Sequence, residues 1–322
     1  MPDEFRTHDL ELPADLAGLR LDQALARALP QYSRARLQGW IEQGSVRVDG
    51  RLPRVRDKVA GGERVRIEAR LESAPGVTAE TLPLELVYED RALIVLNKPA
   101  GLVVHPGAGN PAHTLQNALL GFDPALARVP RAGLVHRLDK DTSGLMVVAR
   151  TLEAHAALVA ALAARTIERR YLAVSVGVMT GGSTVEEPIG RHRTARTRMA
   201  VRADGRIAVT HIRIERRFRA HTLIEARLET GRTHQIRVHL AHIGHPLVGD
   251  PLYGGRRRLP PGATAALVDE LTGFKRQALH AARLKLSHPS TGRVLAWEAP
   301  VPADMARLLD ALAADAAVGG VR

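Results

Sequence analysis

Charged and polar residues fill positions 136–144, where the apolar character of the flanking sequence should continue. The run reads His-Arg-Leu-Asp-Lys-Asp-Thr-Ser-Gly, between Gly-Leu-Val at 133–135 and Leu-Met-Val-Val-Ala at 145–149. This arrangement predicts two buried extended segments joined by a polar loop, and functional side chains concentrate on such loops. Arg137 and Lys140 favour the ionised form of Asp139, which makes Asp139 a candidate nucleophile. A solvated hairpin tip with paired charges is the alternative for this loop taken alone.

Length and composition predict a globular protein of about two domains. The chain has 322 residues, 45% of them hydrophobic, which is enough for packed cores. It has no cysteine, which excludes a disulfide scaffold, a thiolate nucleophile and a zinc site with thiolate ligands. The first five residues include two acids, and no apolar run reaches the roughly 18 residues of a membrane span. We expect no signal peptide, no membrane contact and a cytoplasmic location.

The net charge of the chain is +12, which indicates a polyanionic partner, RNA in preference to a small acidic substrate. Charge alone does not separate RNA from DNA or an anionic membrane. Aromatic residues make up 3% of the chain, which disfavours broad base-stacking platforms. Contacts with nucleic acid should therefore run mostly from arginine to phosphate.

Residues 1–70 are predicted to form a small α+β domain, followed by a linker at 71–83. Apolar residues recur at helical spacing around Leu25 and Trp40, and then alternate with polar residues near Val46 and Ile67. The linker contains Pro-Gly and few bulky apolar residues. Positions 34–58 hold seven Lys or Arg against three acids, so this domain is a candidate RNA-binding module. Its candidate contacts are Arg34, Arg36, Arg54, Arg56 and Lys58.

Residues 84–322 are predicted to form a second, larger α+β domain around a mixed sheet. Strand-like runs occur at 86–88, 93–96, 145–149, 171–176, 223–228 and 236–240, with a helix predicted from Thr151 to about Ala164. An alanine-rich helix follows Asp304. Segment 191–202 has five arginines and no acid, so it is either an RNA-contacting insertion or a solvated loop. Its candidate contacts are Arg191, Arg193, Arg196 and Arg198.

The polar loop and several other motifs, in order, resemble the RluA-type pseudouridine synthases. These motifs are Asn-Lys-Pro-Ala-Gly at 97–101, Val-His-Pro-Gly at 104–107, Arg-Arg-Tyr at 169–171 and the segment 228–239. The resemblance runs from about Arg20 to Asp304, and the order of elements at 20–69 resembles the S4 RNA-binding domain. Segments 191–192, 199–201, 249–255 and 276–281 resemble the branch of this family that acts on large-subunit (23S) ribosomal RNA.

The resemblance implies a pseudouridine synthase fold and an enzyme that isomerises uridine in RNA without a cofactor. It makes Asp139 the catalytic carboxylate, as nucleophile or as base toward the sugar, and Tyr171 the residue that stacks on the target base. Tyr171 is otherwise readable as a core tyrosine. Members of the family mostly have an acid before this tyrosine, where this chain has Arg170. The implied target is the helix 69 stem-loop, and we expect a monomer.

The same resemblance implies a basic residue paired with Asp139. If 232–239 is a strand, alternation places Arg232 and Arg237 on opposite faces, and we assign the pairing to Arg237, with Arg232 as the second candidate. Arg137, with His136 beside it, is a candidate to fill the space left by a flipped nucleotide, or to contact a phosphate.

Two other enzyme or binding classes remain as alternatives. Positions 139–142 match the Asp-x-Asp-x-Thr motif of haloacid-dehalogenase-type phosphatases, which use Mg²⁺, although His136 and Arg137 interrupt the required strand. The second alternative is a non-catalytic RNA chaperone built on the first domain. A metal site is not expected from the histidines of segment 234–245, because they lack His-Glu-x-x-His spacing.

Overall fold

The computed structural model describes residues 5–32, 34–70, 77–107, 109–195, 197–255 and 259–318. Positions 71–76 of the predicted linker and Arg196, a predicted RNA contact, lie outside the described residues, as do positions 1–4 of the predicted first domain. Within these ranges, no helix combines the length and apolar character needed to cross a bilayer.

The first part of the chain folds as three antiparallel strands covered by two helices. The elements are β1 (Phe5–Glu11), α1 (Leu21–Ala28), α2 (Arg34–Glu42), β2 (Val46–Val48) and β3 (Arg64–Arg70), with the strands in the order β1-β3-β2. Leu25, Leu37 and Ile67 are fully buried between helices and sheet. The predicted helix pair and strands are confirmed. The sequence analysis missed β1, because few apolar residues mark it as a strand.

A nine-stranded mixed sheet forms the centre of the rest of the chain. Its strands are β4 (Leu86–Glu89), β5 (Leu93–Lys98), β6 (Ser143–Ala149), β7 (Glu168–Val176), β8 (Ser183–Val185), β11 (Thr210–Arg217), β12 (His221–Leu228), β13 (Leu279–Ser287) and β14 (Val294–Glu298). The order is β4-β5-β6-β13-β7-β12-β11-β8, with β14 also paired to β13. The β6–β13 pair is parallel and the other pairs are antiparallel. The predicted α+β class with a mixed sheet is confirmed.

Strand β6 is buried along its whole length, which explains its unbroken apolar sequence. Met146 and Val148 pack into one hydrophobic cluster, and Leu145 and Val147 pack into another on the opposite face. At the start of β6, a Cβ on Gly144 would lie 2.3 Å from the carbonyl oxygen of Ala281. Only glycine therefore allows β13 to approach so closely at the end of the 136–144 loop.

Helices cover the sheet, and two short strands form a separate ribbon. The helices are α3 (Leu115–Phe122), α4 (Leu152–Ala163), α5 (Gln235–His242), α6 (Ala265–Gly273) and α7 (Ala303–Val318). The predictions of α4 and of the C-terminal helix are confirmed, and the Thr151 hydroxyl caps α4 by accepting from Ala154 N at 3.1 Å. The basic segment 191–202 begins and ends in the antiparallel ribbon of β9 (Ile189–Arg191) and β10 (Met199–Val201).

The predicted strand at 236–240 is wrong, because these residues belong to α5. Positions 235–240 are all buried, polar and apolar alike, so the segment has no exposed face that would reveal helical periodicity. The helix starts after His234, which has a left-handed backbone with φ of 57°. The Gln235 side chain closes the preceding turn by accepting hydrogen bonds from Arg232 N at 3.0 Å and the Thr230 hydroxyl at 2.8 Å.

Candidate active site

A cavity of about 410 Å³ lies between the 134–142 loop, strand β7 and the start of α5. Asp139, Tyr171 and Arg237 line it, although they are far apart in the sequence. Leucine and isoleucine side chains are among the other lining residues, so the cavity has both an apolar surface and converging polar groups. This combination is typical of sites that bind a small planar group.

Lys98 fixes the backbone of the loop that carries Asp139. Its ammonium group is fully buried and donates to the carbonyl oxygens of Pro99 at 2.7 Å, Leu102 at 2.9 Å and Lys140 at 3.0 Å. All three protons of the ammonium are thereby used. Burial lowers the pKa of Lys98 to about 7, against the opposing charges of Asp141 and Asp139. Lys98 ties the 98–102 turn to the loop.

Arg237 on α5 forms an ion pair with Asp139. Its Nη1 donates to Asp139 Oδ2 at 2.9 Å, and the arginine side chain is 4% exposed whereas that of Asp139 is 16% exposed. The other side of the guanidinium donates to Asp250, from Nε at 2.7 Å and from Nη2 at 2.8 Å. Burial lowers the pKa of Arg237, but the two carboxylates outweigh it and raise the pKa above its usual value. The guanidinium is thus a permanent cation facing Asp139.

Asp250 is held from its other side by the backbone. Its Oδ1 accepts from Leu252 N at 2.9 Å and Tyr253 N at 3.0 Å, and its side chain is fully buried. Burial raises the pKa of Asp250, but Arg237 and these amides lower it below its usual value. Asp250 therefore orients Arg237 toward Asp139.

His234 presents a second polar group to Asp139. Its Nδ1 lies 2.8 Å from the Tyr253 hydroxyl, which itself accepts a hydrogen bond from Met199 N at 2.8 Å. The Tyr253 hydroxyl thereby links His234 to the backbone of β10, and the other ring nitrogen of His234, Nε2, faces Asp139. This Nε2 lies 3.9 Å from Asp139 Oδ1. Burial lowers the pKa of His234, so the ring is neutral at pH 7.

Tyr171 lies on β7, between β12 and β13, with its side chain 5% exposed. Burial raises the pKa of Tyr171, the charge of Asp139 raises it further and that of Arg169 lowers it. Alternation along β7 sends Arg170 to the opposite face, where it pairs with Glu168 at 2.6 Å and Glu225 at 3.1 Å. The basic residue in the usual acidic position therefore does not face the cavity.

Comparisons with known proteins decide the family. The model of the RNA pseudouridylate synthase family matches residues 92–242, and that of the S4 domain matches residues 19–65. Ribosomal large subunit pseudouridine synthase D of Xanthomonas campestris pv. campestris is 57% identical over 95% of this chain and 92% of its own length. That of Pseudomonas aeruginosa is 55% identical over 95% of each chain.

The chain belongs to the RluA-type family of RNA pseudouridine synthases. A solved structure of human RNA pseudouridylate synthase domain containing 4 is similar, with a TM-score of 0.56 and 26% identity over 71% of this chain and 93% of that one. Family membership decides against the magnesium-dependent phosphatase and against the non-catalytic chaperone.

In this synthase, the loop neighbours of Asp139 have separate environments. Arg137 is exposed at the cavity. The Nε2 of His136 accepts from Val147 N at 3.1 Å, which fixes the loop to β6, and burial lowers the pKa of His136 to about 3. Arg232, the second candidate for the ion pair, donates from Nε to the carbonyl oxygen of Ile207 at 2.9 Å and makes no contact with Asp139.

The predicted RNA contacts of the first domain fall into two groups. Arg34 donates from Nε to the buried Asp22 at 2.8 Å, and Arg36 donates from Nη1 to the carbonyl oxygen of Arg128 at 2.9 Å. Both side chains are thus engaged within the protein. The exposed members are Arg54, Arg56 and Lys58, together with Arg191, Arg193 and Arg198 of the β9–β10 segment.

Four residues of the site were not predicted from the sequence: Lys98, His234, Asp250 and Tyr253. Lys98 and the Asp250–Tyr253 segment lie in motifs that carried the resemblance, but spacing gave no signal of their contacts with the Asp139 loop or Arg237. Among the described residues, no group of three or more His, Asp or Glu side chains is arranged to hold a metal ion.

Proposed function

We propose that this synthase converts uridines of large-subunit (23S) ribosomal RNA into pseudouridine, with Asp139 as nucleophile or base toward the ribose. The observation that carries this proposal is that Asp139, its ion-pair partner Arg237 and Tyr171 all line the same cavity. The names of the relatives support the ribosomal substrate.

The proposed reaction exchanges one bond between ribose and base for another. The bond from C1′ to N1 breaks, the base turns, and a bond from C1′ to C5 forms; C5 loses a proton and N1 gains one. Asp139 acts on the sugar while the ion pair with Arg237 holds it in place, and Tyr171 stacks on the detached base. No water or redox partner enters the balance.

We propose the helix 69 stem-loop as the target. Loop bases are cheaper to unstack than paired ones, which suits an enzyme that must extrude its substrate into a cavity. In this proposal Arg137 fills the space of the flipped nucleotide or contacts a phosphate. The domain of residues 1–70, joined by a linker at 71–83 to the catalytic domain of residues 84–322, holds the RNA backbone through its exposed basic residues.

The test is to map pseudouridine in 23S ribosomal RNA from a strain lacking this gene. We expect several neighbouring pseudouridines of helix 69 to be lost together. The wild-type gene should restore them, whereas Asp139→Asn should not, although the purified variant should bind RNA with nearly unchanged affinity. Losses elsewhere in the 23S RNA, or of one site alone, contradict the target but not the role of Asp139. Restoration by Asp139→Asn contradicts that role.

A further inference from the structure

Residues 131–133, directly before the 134–142 loop, form a left-handed turn. Arg131 has φ of 53° and ψ of 37°, Ala132 has φ of 52° and ψ of 37°, and Gly133 has φ of 80°. Glycine adopts this region freely, but two consecutive residues with a Cβ are sterically disfavoured there. Such strain persists where the surrounding structure enforces it, and it concentrates at functional sites.

Packing against β6 enforces the turn. A Cβ on Gly133 would lie 1.9 Å from the carbonyl oxygen of Ala149, Ala132 is 2% exposed in the main core, and Leu134 pairs with Val148. The chain must therefore bury positions 132–134. The consequence is that Arg131 is exposed, and its side chain lines the cavity that contains Asp139.

The guanidinium of Arg131 makes no hydrogen bond or ion pair with any residue that the structure describes. Its charge acts on two histidines, His105 and His155. Burial lowers the pKa of His105, and Arg131 and Arg137 lower it further, whereas the hydrogen bond that His105 donates to Gln116 Oε1 raises it. Burial and then Arg131 lower the pKa of His155 to about 4. Both rings are neutral at pH 7, so they neither pair with nor add to the charge of Arg131.

The geometry points to Arg131 as a binding residue for a phosphodiester of the RNA strand beside the flipped uridine. This inference rests on the proposed function, since it needs RNA in the cavity. An exposed guanidinium without a protein partner is suited to bidentate contact with phosphate oxygens. The uridine itself goes deeper, toward Asp139 and Tyr171, while its flanking phosphates stay at the rim. Arg131 supplies a phosphate contact at the rim. Arg137 is then free to fill the space that the flipped nucleotide leaves between its neighbouring bases.

Three variants separate this role from a structural one. Arg131→Gly removes the cation and relieves the backbone strain, Arg131→Lys keeps the positive charge, and Ala132→Gly relieves strain beside an intact Arg131. The exposed Arg293, which does not line the cavity, is the matched control as Arg293→Ala. Affinity for a helix 69 stem-loop RNA is measured against salt in an Asp139→Asn background. Turnover and melting temperature are measured with Asp139 intact.

We expect Arg131→Gly to weaken RNA binding about tenfold and to reduce the slope of log affinity against log salt by about 0.7. Its kcat at saturating RNA should stay within about twofold, because the contact is made equally in the ground and transition states. Its melting temperature should not fall. Arg131→Lys should keep the salt slope, and Ala132→Gly and Arg293→Ala should bind like the wild type.

An unchanged salt slope in Arg131→Gly overturns the proposal. The proposal is also overturned if Arg131→Gly lowers both RNA affinity and melting temperature and Ala132→Gly loses affinity equally. Failure of the proposed function has a different signature: the wild-type enzyme then forms no pseudouridine in this RNA, whatever residue occupies position 131.

Discussion

At the residue scale, Arg237 is shared between two carboxylates with different surroundings. Asp250 is fully buried and takes two of its hydrogen bonds, whereas Asp139 takes one and remains open to the cavity. The bidentate pair fixes the plane of the guanidinium, and its Nη1 donor is thereby directed at Asp139. Asp250, which does not face the cavity, therefore positions the guanidinium of Arg237 against Asp139, which does.

Replacing Arg237 should therefore affect stability and turnover together. Arg237→Met leaves Asp250 buried without its charge partner, so we expect the free energy of unfolding to fall by about 3–5 kcal/mol. The kcat should fall by about two orders of magnitude, because Asp139 loses its orientation. Urea unfolding and single-turnover assays measure the two effects. Arg232→Met is the control, since the Arg232 side chain donates to the Ile207 carbonyl and not to Asp139. A larger loss of turnover in Arg232→Met than in Arg237→Met contradicts the pairing.

Tyr171 tests whether the ring or the hydroxyl matters. Its hydroxyl has no hydrogen-bond partner among the described residues, so Tyr171→Phe should retain most activity. Tyr171→Leu fills a similar volume but cannot stack, and stacking contributes about 1–3 kcal/mol per base, so we expect roughly a 10- to 100-fold loss in kcat/KM. The melting temperatures of the two variants show whether folding is affected. An equal loss of activity in both variants would show that the hydroxyl matters, and wild-type activity in both would identify Tyr171 as a core residue.

At the element scale, the sequence predicts the elements that bury only apolar residues. It does not predict those that bury polar and apolar residues together. Strand β6 is apolar throughout because both faces are covered, and its pattern predicts it. Helix α5 buries Arg237 and His239 with Ile236 and Leu240, so the pattern resembles alternation. The Asp139 loop was predictable because charges interrupt an apolar run. The burial of Lys98 was not, because it depends on carbonyl groups of two separate turns.

Lys98 should govern the order of the Asp139 loop. Lys98→Met has a similar length but leaves three inward-facing carbonyl groups without their donor, so we expect the unfolding free energy to fall by at least about 2 kcal/mol. The kcat should fall while the KM for RNA changes little, since the loop holds the reacting carboxylate and Lys98 does not reach the RNA. Lys140→Met, on the exposed side of the same loop, is the control. Full activity of Lys98→Met contradicts the tether.

At the scale of the whole molecule, the first domain contacts the region that leads into the active site. Arg36 of α2 donates to the carbonyl oxygen of Arg128, three residues before the left-handed turn at Arg131, and Leu152 at the start of α4 packs into the core of the first domain. These contacts connect the first domain to the part of the chain that leads into the cavity. Under the proposed function, the first domain therefore holds RNA near the rim of the cavity, where Arg131 and Arg137 lie.

Buried neutral histidines make the stability of the whole fold depend on pH. Burial lowers the pKa to about 3 for His136 and to about 4 for His155 and His221. In the unfolded chain each returns to about 6.5. The unfolded state therefore binds more protons below that pH. The stabilisation that these neutral rings provide is complete above about pH 6.5 and is lost as the pH falls toward 4.

We expect the free energy of unfolding to fall between pH 6.5 and 4.5 with a slope of up to about 1.4 kcal/mol per pH unit for each of these histidines. Urea unfolding at pH 7.5, 6.0 and 5.0 at constant ionic strength measures it. His155→Gln should reduce the slope by up to about 1.4 kcal/mol per pH unit, because this group no longer titrates. The substitution His242→Gln, at an exposed histidine, is the control. Most acidic side chains titrate below about pH 4.5, so they do not hide the effect of the histidines. A wild-type free energy of unfolding that is constant between pH 6.5 and 4.5 therefore contradicts the prediction.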